Sequence, residues 1–415
     1  MSEQSDVLVV GAGLAGLACA RELGRAGRRV RVLEASDGIG GRARTDVVEG
    51  FRLDRGFQVL LDSYPEAQRQ LDLKALGLRR FLPGALVRRG GRFHRIADPL
   101  RQPTALFGTA LAGVGSLADK LRILGLRRDA ARGTLDELFG RDESATAARL
   151  ERSGFSADMI DGFFRAFYGG VFLERELTTS SRMLEFTFRM FSSGSACLPT
   201  DGMGAMAAQL AHDLPRSELR LGARVARIEG DTVHLADGSV ERAPTIVVAT
   251  DASASAALVG TPSRRWRGTT CLYFACEHAP IDEPILVLDG DGTGPVNHLA
   301  VLSVVAPSYA PSGAHLVSAS AVGDAASLPD LELEAAVRTQ LGGWFGEGFR
   351  GARLLRIVRV PESLPRQDVP TEPREANVTS PRAGLWVAGD HVATASIQGA
   401  LLSGRLTAAA IVGNR

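Results

Sequence analysis

Lysine is almost missing from this chain: Lys74 and Lys120 are the only two in 415 residues, so arginine carries nearly all the positive charge. Tryptophan and tyrosine are sparse too, at three and four, which leaves phenylalanine to supply most aromatic surface. The four cysteines, Cys19, Cys197, Cys271 and Cys276, lack metal-ligand spacing. They exclude a cysteine-framed metal centre and read as small buried thiols in a reducing compartment, with Cys271 and Cys276 able to meet if their segment bends. No metal site and no Ser-His-Asp arrangement can be read from the remaining residues. An excess of one charge is also absent: the net charge is +1, and no basic stripe with interleaved aromatics occurs. Nucleic acid is therefore excluded as a partner. The first apolar run starts within a few residues of Met1, which leaves no room for a signal peptide and makes the cytoplasm the expected location.

Glycine is plentiful, and its placement is informative. The apolar run from Asp6 to Val10 reads as a buried parallel strand, followed at once by Gly11, Gly13 and Gly16. Gly11 permits a tight turn, Gly13 lets backbone approach a pyrophosphate, and Gly16 lets the next helix pack closely on the sheet. That helix is expected over residues 14–26, beginning at Leu14 and Ala15, with its N-terminal N–H groups facing phosphates. A second strand, residues 29–33, leads into Glu34 and Ala35, about 20 residues past the glycines, where a carboxylate meets a ribose hydroxyl. A nicotinamide dinucleotide would fit this much equally well. Gly40, Gly41 and Arg42 follow, adding flexible backbone and a guanidinium suited to the phosphates of a longer cofactor; the plain alternative for Arg42 is a solvated surface charge.

Residues 7–45 resemble the amino end of the flavin-containing amine oxidase superfamily, which includes amine oxidases, protoporphyrinogen oxidases and carotenoid and squalene-type desaturases. Residues 385–391, with Gly389, Asp390 and His391, and residues 396–405, with Ile397, Gln398 and Ala400, resemble its carboxyl-terminal flavin motif. The resemblance implies FAD as cofactor, Asp390 at its ribityl and phosphate end, and the 396–405 turn at the flavin's pyrimidine edge. It also implies that Gly56, Phe57, Gln58 and Val59 pass close to the isoalloxazine and that Val225 meets adenine through its backbone. Leu198 to Met203 resembles a loop of the desaturase and protoporphyrinogen oxidase branches.

The expected fold is α/β: a Rossmann-like FAD/NAD(P)-binding domain of the glutathione-reductase type, interleaved with an α+β substrate domain. Residues 1–85, 215–262 and 376–415 are assigned to the first. Residues 86–214, mainly helical, and 263–375, with strands at 270–275, 298–303 and 354–360 and a helix at 331–345, are assigned to the second.

Ordinary amine oxidase chemistry is disfavoured. The superfamily's amine oxidases commonly carry an aromatic residue where this chain has Ser396, and a substrate-domain lysine where Lys74 and Lys120 come too early. Phe155, Met159, Phe163 and Phe167, then Met183, Phe186, Met190 and Phe191, recur at helical spacing; they read first as core and second as the wall of an apolar tunnel. Residues 102–118, followed by Lys120, Arg122, Arg127 and Arg128, read first as buried and second as a peripheral membrane contact. His391, His298, Arg165 and Tyr168 are weak catalytic candidates, each with a structural alternative, and Gln58 and Gln398 either bond the flavin or support turns.

The expected activity is FAD-dependent oxidation of an apolar substrate, isoprenoid or tetrapyrrole in character, by hydride transfer to flavin N5, with the electron acceptor open among oxygen, a quinone and other oxidants. An atypical amine oxidase would need a cage built from Trp266, Tyr273, Trp344 and Trp386. A flavin-dependent isomerase without net redox is the other alternative.

Overall fold

The computed structural model describes residues 5–97, 113–212, 214, 218–261, 263–372 and 374–413. Its organising element is a six-stranded sheet in the order Leu219–Arg220, Val30–Leu33, Val7–Val10, Thr245–Val248, Leu385–Val387, Thr379–Arg382. The first five strands run parallel, and the last is antiparallel. Val7–Val10 and Thr245–Val248 lie in the middle, buried along nearly their full length, which is why they read as unbroken apolar runs.

Two long helices from opposite ends of the chain, Leu14–Arg25 and Ile397–Gly413, pack against each other beside this sheet. Glycine makes the crossing possible. A Cβ on Gly404 would stand 2.2 Å from the Ala15 carbonyl oxygen of the facing helix; separately, where the first helix meets the sheet, one on Gly16 would stand 2.0 Å from the Gly11 carbonyl oxygen. The carboxyl-terminal helix is further tied to the short Pro65–Gln70 helix by Arg405, whose Nε and Nη2 donate to the two oxygens of buried Glu66 at 2.8 and 2.7 Å.

A second sheet of seven strands has the order Arg353–Pro365, Trp266–Cys276, His315–Val322, Val296–Val301, Leu286–Asp289, Gly84–Arg89, Arg92–Ala97. The Gly84–Arg89 and Arg92–Ala97 hairpin belongs to the stretch expected to be mainly helical, and the expected division at 85/86 passes through its first strand. Alternation within residues 84–97 is broken by arginines, which hid the period of two. Helices follow at Leu117–Ala131, Thr146–Arg152, Ala157–Phe172 and Ser181–Ser193, the third interrupted by a π turn at Ile160–Phe164. The expected strand at 298–303 is instead Val296–Val301, and Leu302–Val305 turns helical. Cys271 and Cys276 do not meet: both lie on the extended Trp266–Cys276 strand, an odd number of residues apart, and so enter different hydrophobic clusters. Residues 102–112 of the stretch considered for membrane contact lie outside the described residues, among which no helix is long and apolar enough to cross a membrane.

Candidate active site

A cleft of about 880 Å³ runs from the carboxyl edge of the parallel sheet into the helical insertion. Gly11, Gly13, Leu14 and Ala15 form one wall at the sheet end. A Cβ at Gly13 would meet nothing within 4 Å, so that backbone is open to a ligand. The helix starting at Leu14 has no side-chain cap and no acid in its first turn, which leaves its orphan N–H groups free for an anion. Glu34 is fixed beside it: one carboxylate oxygen accepts from the Ala12 N–H at 2.7 Å, the other from the Ser36 N–H and hydroxyl at 2.8 and 2.7 Å. Ala35, Val225 and Leu258 line the same end.

Asp390 lies farther along the cleft with Gly389, and its carboxylate is clamped by Arg42, whose Nη1 and Nη2 donate at 2.8 and 2.6 Å. Arg42 also donates to the Ser363 carbonyl at 2.8 Å and covers the Trp266 ring at 5.4 Å. The Arg42–Asp390 pairing spans 348 residues of chain, so sequence motifs showed both partners but not their bond. Gly41, Phe57, Gln58 and Val59 meet Ile397 and Ala400 around the next section. Gln58 Nε2 donates to the Arg42 and Arg55 carbonyls at 2.8 and 3.1 Å and braces this turn. Ser396, in the place where an aromatic was considered, accepts from the Gly399 N–H at 3.0 Å and so caps the carboxyl-terminal helix.

Three expected cofactor residues do not line the cleft. Gly16 is consumed by packing beneath it, as described. Gly56 has φ +85°, a conformation suited to glycine, and its missing side chain would face Val360 and Thr269. Gln398 is buried, its oxygen accepting from the Glu66 N–H at 2.8 Å and its Nε2 donating to Glu375 at 2.9 Å. The Gln398 side chain thus braces the start of the carboxyl-terminal helix.

The catalytic candidates separate as clearly. Arg165 lies outside the cleft, held by Asp161 at 2.8 Å and the Arg175 carbonyl at 2.7 Å. His391 is buried beneath Gly389 and absent from the cleft wall, and burial holds its imidazole below the usual histidine range. Tyr168 and His298 do line the cleft. Burial pushes the Tyr168 hydroxyl above its ordinary value and the His298 imidazole down to about 4, so both are neutral at pH 7.

Sequence reading missed other wall residues. Lys120, too early in the chain to be considered for the site, reaches the cleft from the Leu117–Ala131 helix, and Arg267, Gln367 and Thr179 join it from the second sheet and its neighbours. Asp54, just under the Phe57 segment, is buried among three donors: the Thr45 hydroxyl, the Met203 N–H and the Tyr309 hydroxyl. Desolvation outweighs these bonds and raises its carboxyl to about 6. The only hint in the sequence was an acid at the end of an apolar strand.

Beyond the turn at Phe57 the wall becomes apolar. The π turn sends Phe164 into the core against Phe155, at 4.9 Å, while Phe163 and Phe167 stack at 5.6 Å and face the cleft. Phe191 packs edge-on to Phe167 at 5.2 Å, and Met183 and Phe188 complete this end. None of Trp266, Tyr273, Trp344 and Trp386 lines the cleft. Trp266 is spent on Arg42 and Ser253, Tyr273 on the Asp54 carbonyl, and Trp344 on Phe93 and Phe345; Trp386 sits in the parallel sheet.

An uncapped glycine-fronted helix, Glu34 and Asp390 in one groove, and a carboxyl-terminal turn closing the far side together fit a long dinucleotide with a planar head. This is the α/β FAD-binding fold. The chain belongs to the flavin containing amine oxidoreductase family, whose model matches residues 14–412, and it is an oxidoreductase with FAD as cofactor. It is 45% identical over 78 residues to putrescine oxidase of Kocuria rosea, covering 19% of this chain and 16% of that one. It is 59% identical over 54 residues to phytoene dehydrogenase of Streptomyces griseus, covering 13% and 11%. These matches span less than a fifth of either relative's length. The fold is similar to that of an oxidoreductase from Methanosarcina mazei, with TM-score 0.74 and 18% identity over 96% of this chain and 98% of the other.

Proposed function

We propose that this protein dehydrogenates an apolar substrate, of isoprenoid or tetrapyrrole character, which occupies the phenylalanine- and methionine-walled end of the cleft. The observation that carries this reading is the wall itself: Phe163, Phe167, Met183, Phe188 and Phe191 offer contact area without charge. When bound, FAD supplies the hydride acceptor. The chain contributes position and exclusion of water: the stacked Phe163 and Phe167 fix an apolar body, and Tyr168 and His298, both neutral, place no charge beside it. The four aromatics required for an amine cage are engaged elsewhere, which weighs against that alternative.

The test is anaerobic mixing of the purified holoenzyme with isoprenoids, porphyrinogens and a panel of amines, following the oxidised-flavin band. Bleaching by an apolar compound with none by amines is the expected result, and the reverse pattern would overturn the proposal. Turnover without loss of the band or consumption of an acceptor would instead mark an isomerase.

The substrate's route in also has a physical reading. Leu117, Leu121 and Leu124 are 66, 62 and 42% exposed along one stripe of the Leu117–Ala131 helix, and Arg128 continues it. Ile123, Leu124 and Lys120 of the same helix line the cleft. We propose that this stripe rests on an anionic membrane surface, leucines inserted and arginines at the headgroups. Sedimentation with phosphatidylserine-containing vesicles is expected, and Leu117→Asn with Leu121→Asn should weaken it by roughly tenfold or more, given the apolar area lost. Equal sedimentation of the variant would remove this role.

A further inference from the structure

Most of the apolar end of the cleft has no unmet polar group, and His298 is the exception. The side chain is 3% exposed, sits in the cleft wall, and packs on the Phe57 ring with centroids 4.9 Å apart. Its neighbour Asn297 fixes its tautomer. Asn297 Nδ2 donates to the Ala166 carbonyl at 2.9 Å; because a carbonyl only accepts, the amide nitrogen and not its oxygen must face that way. The second amide hydrogen is directed to His298 Nδ1, 3.3 Å away, so Nδ1 accepts and the imidazole proton resides on Nε2. That buried Nε2–H has no hydrogen-bond partner among the described residues. Gly170 keeps the ring in place: a Cβ there would stand 2.8 Å from Nδ1.

The Tyr168 hydroxyl, in the same wall, meets the Thr187 hydroxyl. Thr187 donates its own proton to the Met183 carbonyl at 2.7 Å, which leaves its oxygen able to accept from Tyr168. A buried donor left unmet is costly, and native structures rarely keep one without a use. The His298 donor, set in the wall of an otherwise apolar chamber, calls for an acceptor brought by whatever fills it.

We infer that His298 Nε2–H binds an oxygen of the substrate, so that the substrate is an apolar body bearing a carbonyl or hydroxyl and not a pure hydrocarbon. His298 therefore acts as a neutral donor and not as a base: its Nδ1 lone pair is occupied by Asn297, and its Nε2 already carries the proton. This rests on the apolar-substrate reading above and narrows it. A flavin carbonyl offers the same acceptor chemistry, and the two sources differ in what the free holoenzyme shows. His298 stands on the Val296–Val301 strand and leans on Gly170 of the insertion, the side of the cleft that holds the apolar wall, which favours the substrate.

The experiment compares a polyisoprenoid ketone with the polyisoprenoid hydrocarbon of the same length, each titrated into oxidised holoenzyme and read from perturbation of the flavin spectrum. Wild type is expected to bind the ketone roughly tenfold more tightly than the hydrocarbon. His298→Phe should abolish that preference while leaving hydrocarbon binding near its original level. His298→Gln, which can return an amide N–H near the Nε2 position, should restore part of it. The midpoint potential of the ligand-free flavin should be equal in all three. A shifted potential in His298→Phe with the ketone preference intact would assign the donor to the flavin and overturn the inference. Equal binding of both probes by wild type would overturn it as well, whether or not the variants fold. Binding of neither probe would instead sink the apolar-substrate reading on which it rests.

Discussion

Gly404→Ala is expected to lower the melting temperature sharply and to release FAD, although it adds one methyl group to a helix. The new Cβ would lie 2.2 Å from the Ala15 carbonyl oxygen, 3.0 Å from the Ala18 Cβ and 3.0 Å from the Cys19 backbone nitrogen. Two of these neighbours are backbone of the facing helix, so no side chain can rotate away and the helices must part. Overpacking in well-packed cores costs about 1–3 kcal/mol, occasionally more, and with backbone as the obstacle we expect about 3 kcal/mol or above. The damage reaches the cofactor because Ala15 and Leu14 line its groove on one helix, while Ile397 and Ala400 line it on the other. A control isolates the cause. Gly24→Ala on the amino-terminal helix has nothing within 4 Å of its Cβ and no positive φ. It should stabilise by roughly 0.4–1 kcal/mol through lower unfolded-state entropy and better helix propensity. Parallel thermal melts and flavin-to-protein absorbance ratios check both. Similar behaviour of the two variants would mean that the crossing at Gly404 does not hold the termini together.

The cofactor half of the site was legible in the sequence because its signals are local. An apolar run followed by Gly11, Gly13 and Gly16 demands a strand, a tight turn and a closely packed helix, and each demand is met within a few residues. Directions of side chains were harder to read. Along the first turn of the Ile397–Gly413 helix each residue rotates by about 100°, so Ile397 and Ala400, three apart, face the cleft while Gln398 turns to Glu66 and Glu375. The same one-residue offset puts His391 behind Gly389 while Asp390 stays in the cleft. In the insertion, a spacing of four suggested one stripe for Phe155, Met159, Phe163 and Phe167. Met159, Phe163 and Phe167 do line the cleft, whereas Phe155 precedes the helix and packs in the core on Phe164. The donor state of His298 was the least legible. It depends on Asn297 bonding Ala166, a contact across 131 residues that no pattern in the chain encodes.

Arg405→Met should be the most damaging single replacement of a charge in this protein. Glu66 is 4% exposed and loses both guanidinium bonds, at 2.7 and 2.8 Å, keeping only Gln70 Nε2 at 2.7 Å and Arg69 at 3.9 Å. Removing one partner of a buried pair typically costs about 3–5 kcal/mol. The Arg405 side chain is 26% exposed, so water screens part of the pair and the lower end of that range is the better expectation. Glu66 also donates its backbone N–H to Gln398, so a helix that shifts to hydrate the stranded carboxylate pulls on the turn bearing Ile397. Flavin affinity should therefore weaken along with stability. The double variant Glu66→Leu with Arg405→Met separates electrostatics from packing: it buries no unpaired charge and should recover much of the stability lost in the single variant. Chemical denaturation of wild type, both single variants and the double variant supplies the cycle. A double variant no more stable than Arg405→Met alone would mean that the stranded Glu66 carboxylate is not what destabilises the single variant.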